Sequence, residues 1–233
     1  MIQEYQINAT GVIRALLLVF FLLLIAHAAM LFSTHFLGHG RLYGIVKLFN
    51  FNAEQNIPTL FSVMLLLFNS LLFHLNYRNN ILASNNGGWR ILSIVFIFLA
   101  IDEFSSIHEM LTDPSRALFH ASGFLYFAWV IPYAILLGLL AIIMAPLMFK
   151  LPKQFLFRYV LAGGLYVGGA VGFELLGGRY FETNGHDFAY SLLTTTEESL
   201  EMLGLILCIH TSITLLQTKW ERLTFSITSL RND

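Results

Sequence analysis

A single cysteine, Cys208, stands in 233 residues, which excludes an internal disulfide framework and any four-thiolate zinc or iron–sulfur site. Charge is scarce as well: charged residues make up 12% of the chain, against roughly 25% in an ordinary soluble domain. No basic run exceeds two residues and the formal net charge is −1, so nothing points to nucleic acid as a partner. Low-complexity tracts are absent, and the linkers are too short for a separate soluble domain. What is left is apolar. Hydrophobic residues reach 57% and mean hydropathy is +0.70, the composition of an integral membrane protein whose natural partners include membrane lipids. A metal bound by such a chain has to be held by carboxylates, histidines and water.

Six segments are long enough to cross a hydrocarbon core, which takes roughly 20 residues: 12–34, 58–77, 90–111, 119–149, 154–177 and 187–217. The reading is all-α, a polytopic membrane helical bundle forming one transmembrane domain over 1–233. The first apolar segment follows Arg14 and runs on to Ser33, so it reads as a spanning helix and not as a cleavable leader. Pro132 lies well inside the fourth segment and is expected to kink it. Gly164, Gly168 and Gly172 repeat at four-residue spacing in the fifth and are expected to let another helix approach closely. With six crossings, Arg14, Arg78, Arg90, Lys150, Lys153, Arg158, Lys219, Arg222 and Arg231 share one side, and Arg41, Lys47, Arg116 and Arg179 the other. That asymmetry puts both termini in the cytoplasm.

Against this background one stretch stands out, Leu99 to Leu111, which sets Asp102, Glu103, His108 and Glu109 at the end of an apolar run. On a continuous helix Asp102, Ser105, Ser106 and Glu109 share a face, with His108 at its edge. At 1.5 Å per residue, Asp102 lies roughly 18 Å above Arg90, Glu174 roughly 24 Å above Arg158 and Glu201 roughly 27 Å above Lys219. Three helices therefore carry carboxylates at a similar depth in the outer half of the membrane. His27 falls roughly 20 Å above Arg14 and is placed to join them from below. The segment 35–57 reads as a lid over the outer end of the bundle.

Ionisable groups at membrane depth are costly and normally face a bundle interior or a wet cavity. Glu197, Glu198 and Glu201 crowd one arc of the last helix, and such near neighbours call for shared protons or a bound cation.

The stretch Asn52-Ala53-Glu54-Gln55-Asn56-Ile57-Pro58-Thr59, the motif Asp-Glu-x4-His-Glu at 102–109, the run 173–180 and the motif Glu-Glu-x2-Glu-Met at 197–202 together resemble an uncharacterised family of bacterial six-span membrane proteins, over nearly the whole chain. The resemblance implies the fold and a location in the bacterial inner (plasma) membrane; it implies no activity. Alkaline ceramidase and adiponectin-receptor-like hydrolases are also small bundles with zinc near one membrane face, but their paired histidines four apart are missing here. So are the Glu-x-x-His pairs of di-iron carboxylate bundles.

Three functions stay open. A metal-dependent membrane enzyme would use Asp102, His108, Glu109, Glu174 and Glu201 as ligands to a divalent zinc, iron or manganese ion, with Glu197 or Glu198 as general base, on a lipid or other apolar small-molecule substrate. A proton- or cation-coupled transporter would use the same acids as carriers. A non-catalytic subunit or assembly factor of a membrane complex would need neither, its acids being paired with Arg41, Arg116 or Arg179.

Overall fold

The computed structural model describes residues 3–6, 8–38, 45–82, 86–219 and 224–227. Ten α-helices follow one another there: α1 Ala9–Phe36, α2 Ile45–Leu48, α3 Ile57–Arg78, α4 Gly87–Ser105, α5 Ile107–Met110, α6 Thr112–Phe119, α7 Val130–Met148, α8 Lys153–Val167, α9 Glu174–Asn184 and α10 Phe188–Lys219. A π turn, Gly168–Phe173, joins α8 to α9 so that Lys153–Asn184 runs as one long element. Two four-residue strands, Gln3–Gln6 and Thr224–Ile227, pair antiparallel and bring the two ends of the chain to the same side of the bundle.

Five of these elements are long and apolar enough to cross a membrane. The 19 residues of α4 are long enough too, and what sets it apart is charge, because Arg90, Asp102 and Glu103 fall inside it. Counting it gives up to six crossings among the described residues.

The bundle is built around α10, which packs against α1, α3, α8 and the π turn and buries Met202, Leu205, Ile206, Ile209, Ile213 and Leu216 along one stripe. Lipid tails are as apolar as leucine, so close backbone approach and polar contacts between helices do the holding. A methyl group added at Gly204 would come within 2.7 Å of the Ala162 carbonyl, and one at Gly169 within 2.7 Å of the Glu197 carbonyl. Asn69 donates to the Leu205 carbonyl at 3.1 Å, Ser70 to the Ser93 carbonyl at 2.8 Å, and the hydroxyls of Tyr159 and Ser212 meet at 2.9 Å. Outward faces carry large apolar side chains, Ile142 and Phe149 among them.

Three sequence expectations are corrected. Gly164, Gly168 and Gly172 face open space, and the close approaches are at Gly169 and, on α10, Gly204; Gly169 follows Gly168 by one residue, which turns it by about 100° from the strip and towards α10. Pro132 does not kink α7, which begins at Val130; the proline sits in the first turn, where a missing N–H breaks no hydrogen bond. The third segment is not a continuous helix to Leu111. Ser106 adopts a left-handed conformation, φ 52°, that ends α4, and the chain turns by 70° into α5 and α6.

Candidate functional site

That turn positions the site. Reversing at Ser106 lets Asp102, in the last turn of α4, reach the residue six further on. Its Oδ1 accepts from the His108 backbone N–H at 2.9 Å and from the Tyr133 hydroxyl at 2.9 Å, and its Oδ2 lies 3.2 Å from His108 Nδ1. Asp102 is buried and both its oxygens are engaged. The His108 ring is fixed as a result: Nδ1 is held by the carboxylate, Trp129 packs against one side at 4.8 Å between ring centres, and Nε2 has no protein partner among the described residues.

The segment Phe49–Asn56 brings a carboxylate to meet it. Asn56 caps α3 by accepting from the Thr59 N–H at 3.0 Å, and its amide gathers the carbonyls of Lys47, Asn50 and Ala53 at 3.3, 2.6 and 2.6 Å. Phe51 is buried and stacked on the His27 ring, 4.4 Å between centres. Held at both points, the loop places Glu54 over the start of α5. Glu54, His108 and Glu109 each offer a ligand atom, and these atoms lie within 4.8 Å of one another. Glu54 Oε2 is buried and has no hydrogen-bond partner. Burial pushes this carboxyl up to about 7; Glu109 and Asp102 add to the rise and His108 opposes it. Burial lowers His108, yet the Asp102 hydrogen bond and the surrounding carboxylates prevail and its pKa is raised.

Below the three lies a cavity of about 910 Å³. Nine carboxylates line it, Glu54, Asp102, Glu103, Glu109, Asp113, Glu174, Glu197, Glu198 and Glu201, and among the described residues no lysine or arginine does. Arg116 pairs with one of these acids, the exposed Asp113, at 3.3 Å, and is otherwise held by the Tyr126 carbonyl at 2.9 Å and over the Tyr126 ring. Arg179 pairs with Glu182 at 3.6 Å. Arg41 lies outside the described residues. Neither arginine reaches the acids of the last helix, so the paired-acid reading of those residues has no geometric support at Arg116 or Arg179.

All seven sequence-derived site residues thus border one cavity, but they do not share one point. His108 and Glu109 join Glu54. Glu174 accepts from the Trp129 indole N–H at 2.6 Å and is in hydrogen-bonding contact with Glu197. Glu201 packs over Gly169 on the α10 side, with Glu198 beside it as an electrostatic neighbour of Glu103 and Glu54. His27 is not part of the group. It is buried, with Nδ1 3.2 Å from the Phe51 N–H and Nε2 2.8 Å from the Thr195 hydroxyl, and its work is to tie the 49–51 segment to α1 and α10.

Glu54 and Glu103 are site residues that the sequence did not single out, as are Trp129, which supports Glu174 and His108, and Tyr133, which supports Asp102. One signal was available for Glu54: it is the acid in the segment 35–57, directly before a helix whose start is marked by Asn56 and Pro58.

The family described as a domain of unknown function, DUF8692, has a model that matches residues 15–216, and the chain belongs to that family. Comparison with curated proteins and with solved structures gave no match.

Proposed function

We propose that this family member is a metal-dependent membrane enzyme of the bacterial inner membrane, with both termini cytoplasmic and its site opening in the outer half of the bilayer towards a lipid or other apolar substrate. One observation carries the reading: the ligand atoms of Glu54, His108 and Glu109 fall within 4.8 Å of one another at the mouth of an acid-lined cavity. The buried, unpartnered Glu54 Oε2 fits a cation, since a carboxylate oxygen left without a donor in such a place is otherwise costly. Two carboxylates and one imidazole suit zinc, iron or manganese.

An ion held there supplies a Lewis acid. Asp102 is assigned as the positioning residue of His108: by holding Nδ1 it would orient the ring, raise its basicity and leave Nε2 as the nitrogen that could hold an ion. Tyr133 and the His108 backbone N–H hold that carboxylate in turn. Glu197 and Glu198 are placed to accept protons from the reacting end of the substrate, with Glu174 sharing a hydrogen bond with Glu197. Glu174 and Glu201 line the same cavity outside that group of three and would join the coordination sphere only if their side chains turned towards it. A carrier is less well supported, because the cavity below the acids is walled by Leu92, Leu136, Leu140 and Met144 and offers protons few stations.

Elemental analysis of purified protein tests the reading. One zinc, iron or manganese per chain, lost in Glu54→Gln and Glu109→Gln variants that keep the wild-type unfolding temperature after chelation, is the expected result. A wild-type protein that takes up no metal after equilibration with all three overturns it.

A further inference from the structure

The cavity is far larger than a metal site needs. At about 30 Å³ per water, an ion with a full shell of waters takes on the order of 200 Å³, and the cavity has about 910 Å³. Its remainder is apolar and lies behind α7, a helix buried only at its ends, through Val130 on one side and Met144 and Leu147 on the other. Between those points α7 leaves a flank facing the lipid, since Gly163 on α8 lines the cavity and is nevertheless exposed. The floor is closed: Leu147 presses on Gly88, where a Cβ would meet it at 2.9 Å, and the buried Trp89 stacks against Phe73 and lies 5.7 Å from the Tyr159 ring. An apolar chamber open to lipid on its flank is filled by hydrocarbon, not water.

We infer that the cavity binds a single-chain amphiphile of about 14 carbons whose head is uncharged or cationic, the head resting among the carboxylates and the chain running down to Tyr159 and Met144. The inference rests on the site proposed above and names its substrate class. Length follows from the wall: Ile91 and Asp102 both line the cavity, and eleven residues of helix separate them by roughly 16 Å. An extended chain advances about 1.25 Å per bond, given 1.52 Å bonds at tetrahedral angles, so roughly 13 bonds fit. The head follows from charge. Nine acids and one histidine line the cavity and, among the described lining residues, no lysine or arginine does, so a carboxylate or phosphate head finds no cationic side chain there and is repelled by each acid that keeps its charge. Gly163 provides the ruler's test mark. It sits four residues from Tyr159, roughly 6 Å nearer the acids, and a side chain built there meets nothing within 4 Å. Gly164 is equally open but does not line the cavity.

The experiment uses the full chain in phosphatidylcholine nanodiscs, a tetradecylamine probe with a diazirine at the chain end, and competition by n-alkylamines, n-alkanols and n-alkanoates of 8 to 18 carbons. Competition by amines and alkanols peaks near 14 carbons, alkanoates of equal length are at least tenfold weaker, and the probe's adducts map to the lower cavity wall. Gly163→Phe moves the peak to about 9 carbons, and Gly164→Phe leaves it in place. No length optimum, alkanoates that compete as well as amines, or an unmoved peak in Gly163→Phe overturns the inference. If Gly163→Phe does not fold, the wild-type length series and adduct map decide alone. The series is repeated on chelated protein. A peak that persists in a protein taking up no metal removes the metal reading only, whereas stoichiometric metal without a peak removes the amphiphile only.

Discussion

His27 and His108 are the same side chain in two differently finished environments. His27 is enclosed on every side: Phe51 covers its face, a backbone N–H meets one ring nitrogen and the Thr195 hydroxyl meets the other. His108 is enclosed on one side only, where Asp102, Trp129 and Tyr133 fix it, and one of its ring nitrogens lies within 4.8 Å of a carboxylate oxygen of both Glu54 and Glu109. The difference separates a histidine that holds the fold from one that the fold holds for use. A buried polar atom that the protein has satisfied contributes to stability; one that it has oriented and left open is where a ligand is expected.

The comparison breaks first at metal content. His108→Ala is expected to lower bound metal from about one per chain to a level indistinguishable from background, with little change in the unfolding temperature of the chelated protein. His27→Ala is expected to do the reverse, keeping the metal and losing about 3 kcal/mol of stability, since it deletes a buried ring and two hydrogen bonds. Inductively coupled plasma analysis and thermal unfolding of the same samples read both. Equal metal loss in the two variants would show that the histidines are not functionally distinct.

A finer test asks whether His108 is useful because it is oriented. Asp102→Asn keeps the size of the side chain and removes the charge that holds Nδ1. Metal affinity is expected to fall 10- to 100-fold, the usual effect of losing such a support, while a ligand variant such as Glu109→Gln loses more. Competition with a chelator of known affinity measures it, and an unchanged affinity in Asp102→Asn removes Asp102 from the role assigned to it.

The same contrast has a pH signature. A ligand must shed its proton before it binds metal. Glu54, pushed up to about 7, is half protonated there and increasingly so below, and the raised His108 competes in the same direction. Metal affinity is therefore expected to level off above neutral pH and to fall as pH drops from 7 to 5, by up to about tenfold per unit for each proton displaced. The chelated protein is expected to behave oppositely. A carboxyl with its folded pKa above its unfolded one binds more protons when folded, so Glu54 adds stability as pH falls from 7 towards 4.5. Glu54→Gln is expected to flatten the stability slope of the chelated protein, and a pH series of thermal unfolding on the wild type and that variant measures it.

How far the sequence carries this contrast depends on what each feature asks of the chain. Span lengths were legible because a bilayer imposes a minimum apolar length, and five elements meet it without regard to detail. That Asp102, Glu174 and Glu201 border one cavity was legible for a similar reason, since similar heights along three helices need only the helical rise. Phase was not. The argument that grouped Asp102 with Glu109 on one helical face assumed a helix through Ser106, and a serine at φ 52° leaves no mark in the sequence comparable to a glycine's. Yet the break is what brings His108 back to Asp102. Glu54 was illegible as a ligand because a loop residue has no period, and its place is dictated by the three carbonyls that Asn56 collects.

Glycines give the smallest and sharpest version of the comparison, because they too divide into positions that the fold has closed and positions it has left open. Gly169 and Gly164 both lie on the element that begins at Lys153, and the four-residue repeat favoured Gly164 as the contact. The neighbours say otherwise. A Cβ at Gly169 lands 2.7 Å from the Glu197 carbonyl and 2.9 Å from Glu201 Cγ, whereas one at Gly164 meets nothing within 4 Å. The backbone of α10 cannot yield at the first position without moving Glu197 and Glu201, so Gly169→Ala is expected to cost about 1–3 kcal/mol and to disturb the lower acids together. In Gly164→Ala the added methyl group has room and the helix gains propensity, so stability is expected to be unchanged or to rise by up to about 1 kcal/mol. Thermal unfolding in one detergent ranks the pair. Should Gly164→Ala prove the more damaging, the helix would have to be rotated by about 140° about its axis, the angle between these positions at 100° per residue. That rotation would carry Glu174 away from Trp129 and open the very arrangement on which the lower half of the site depends.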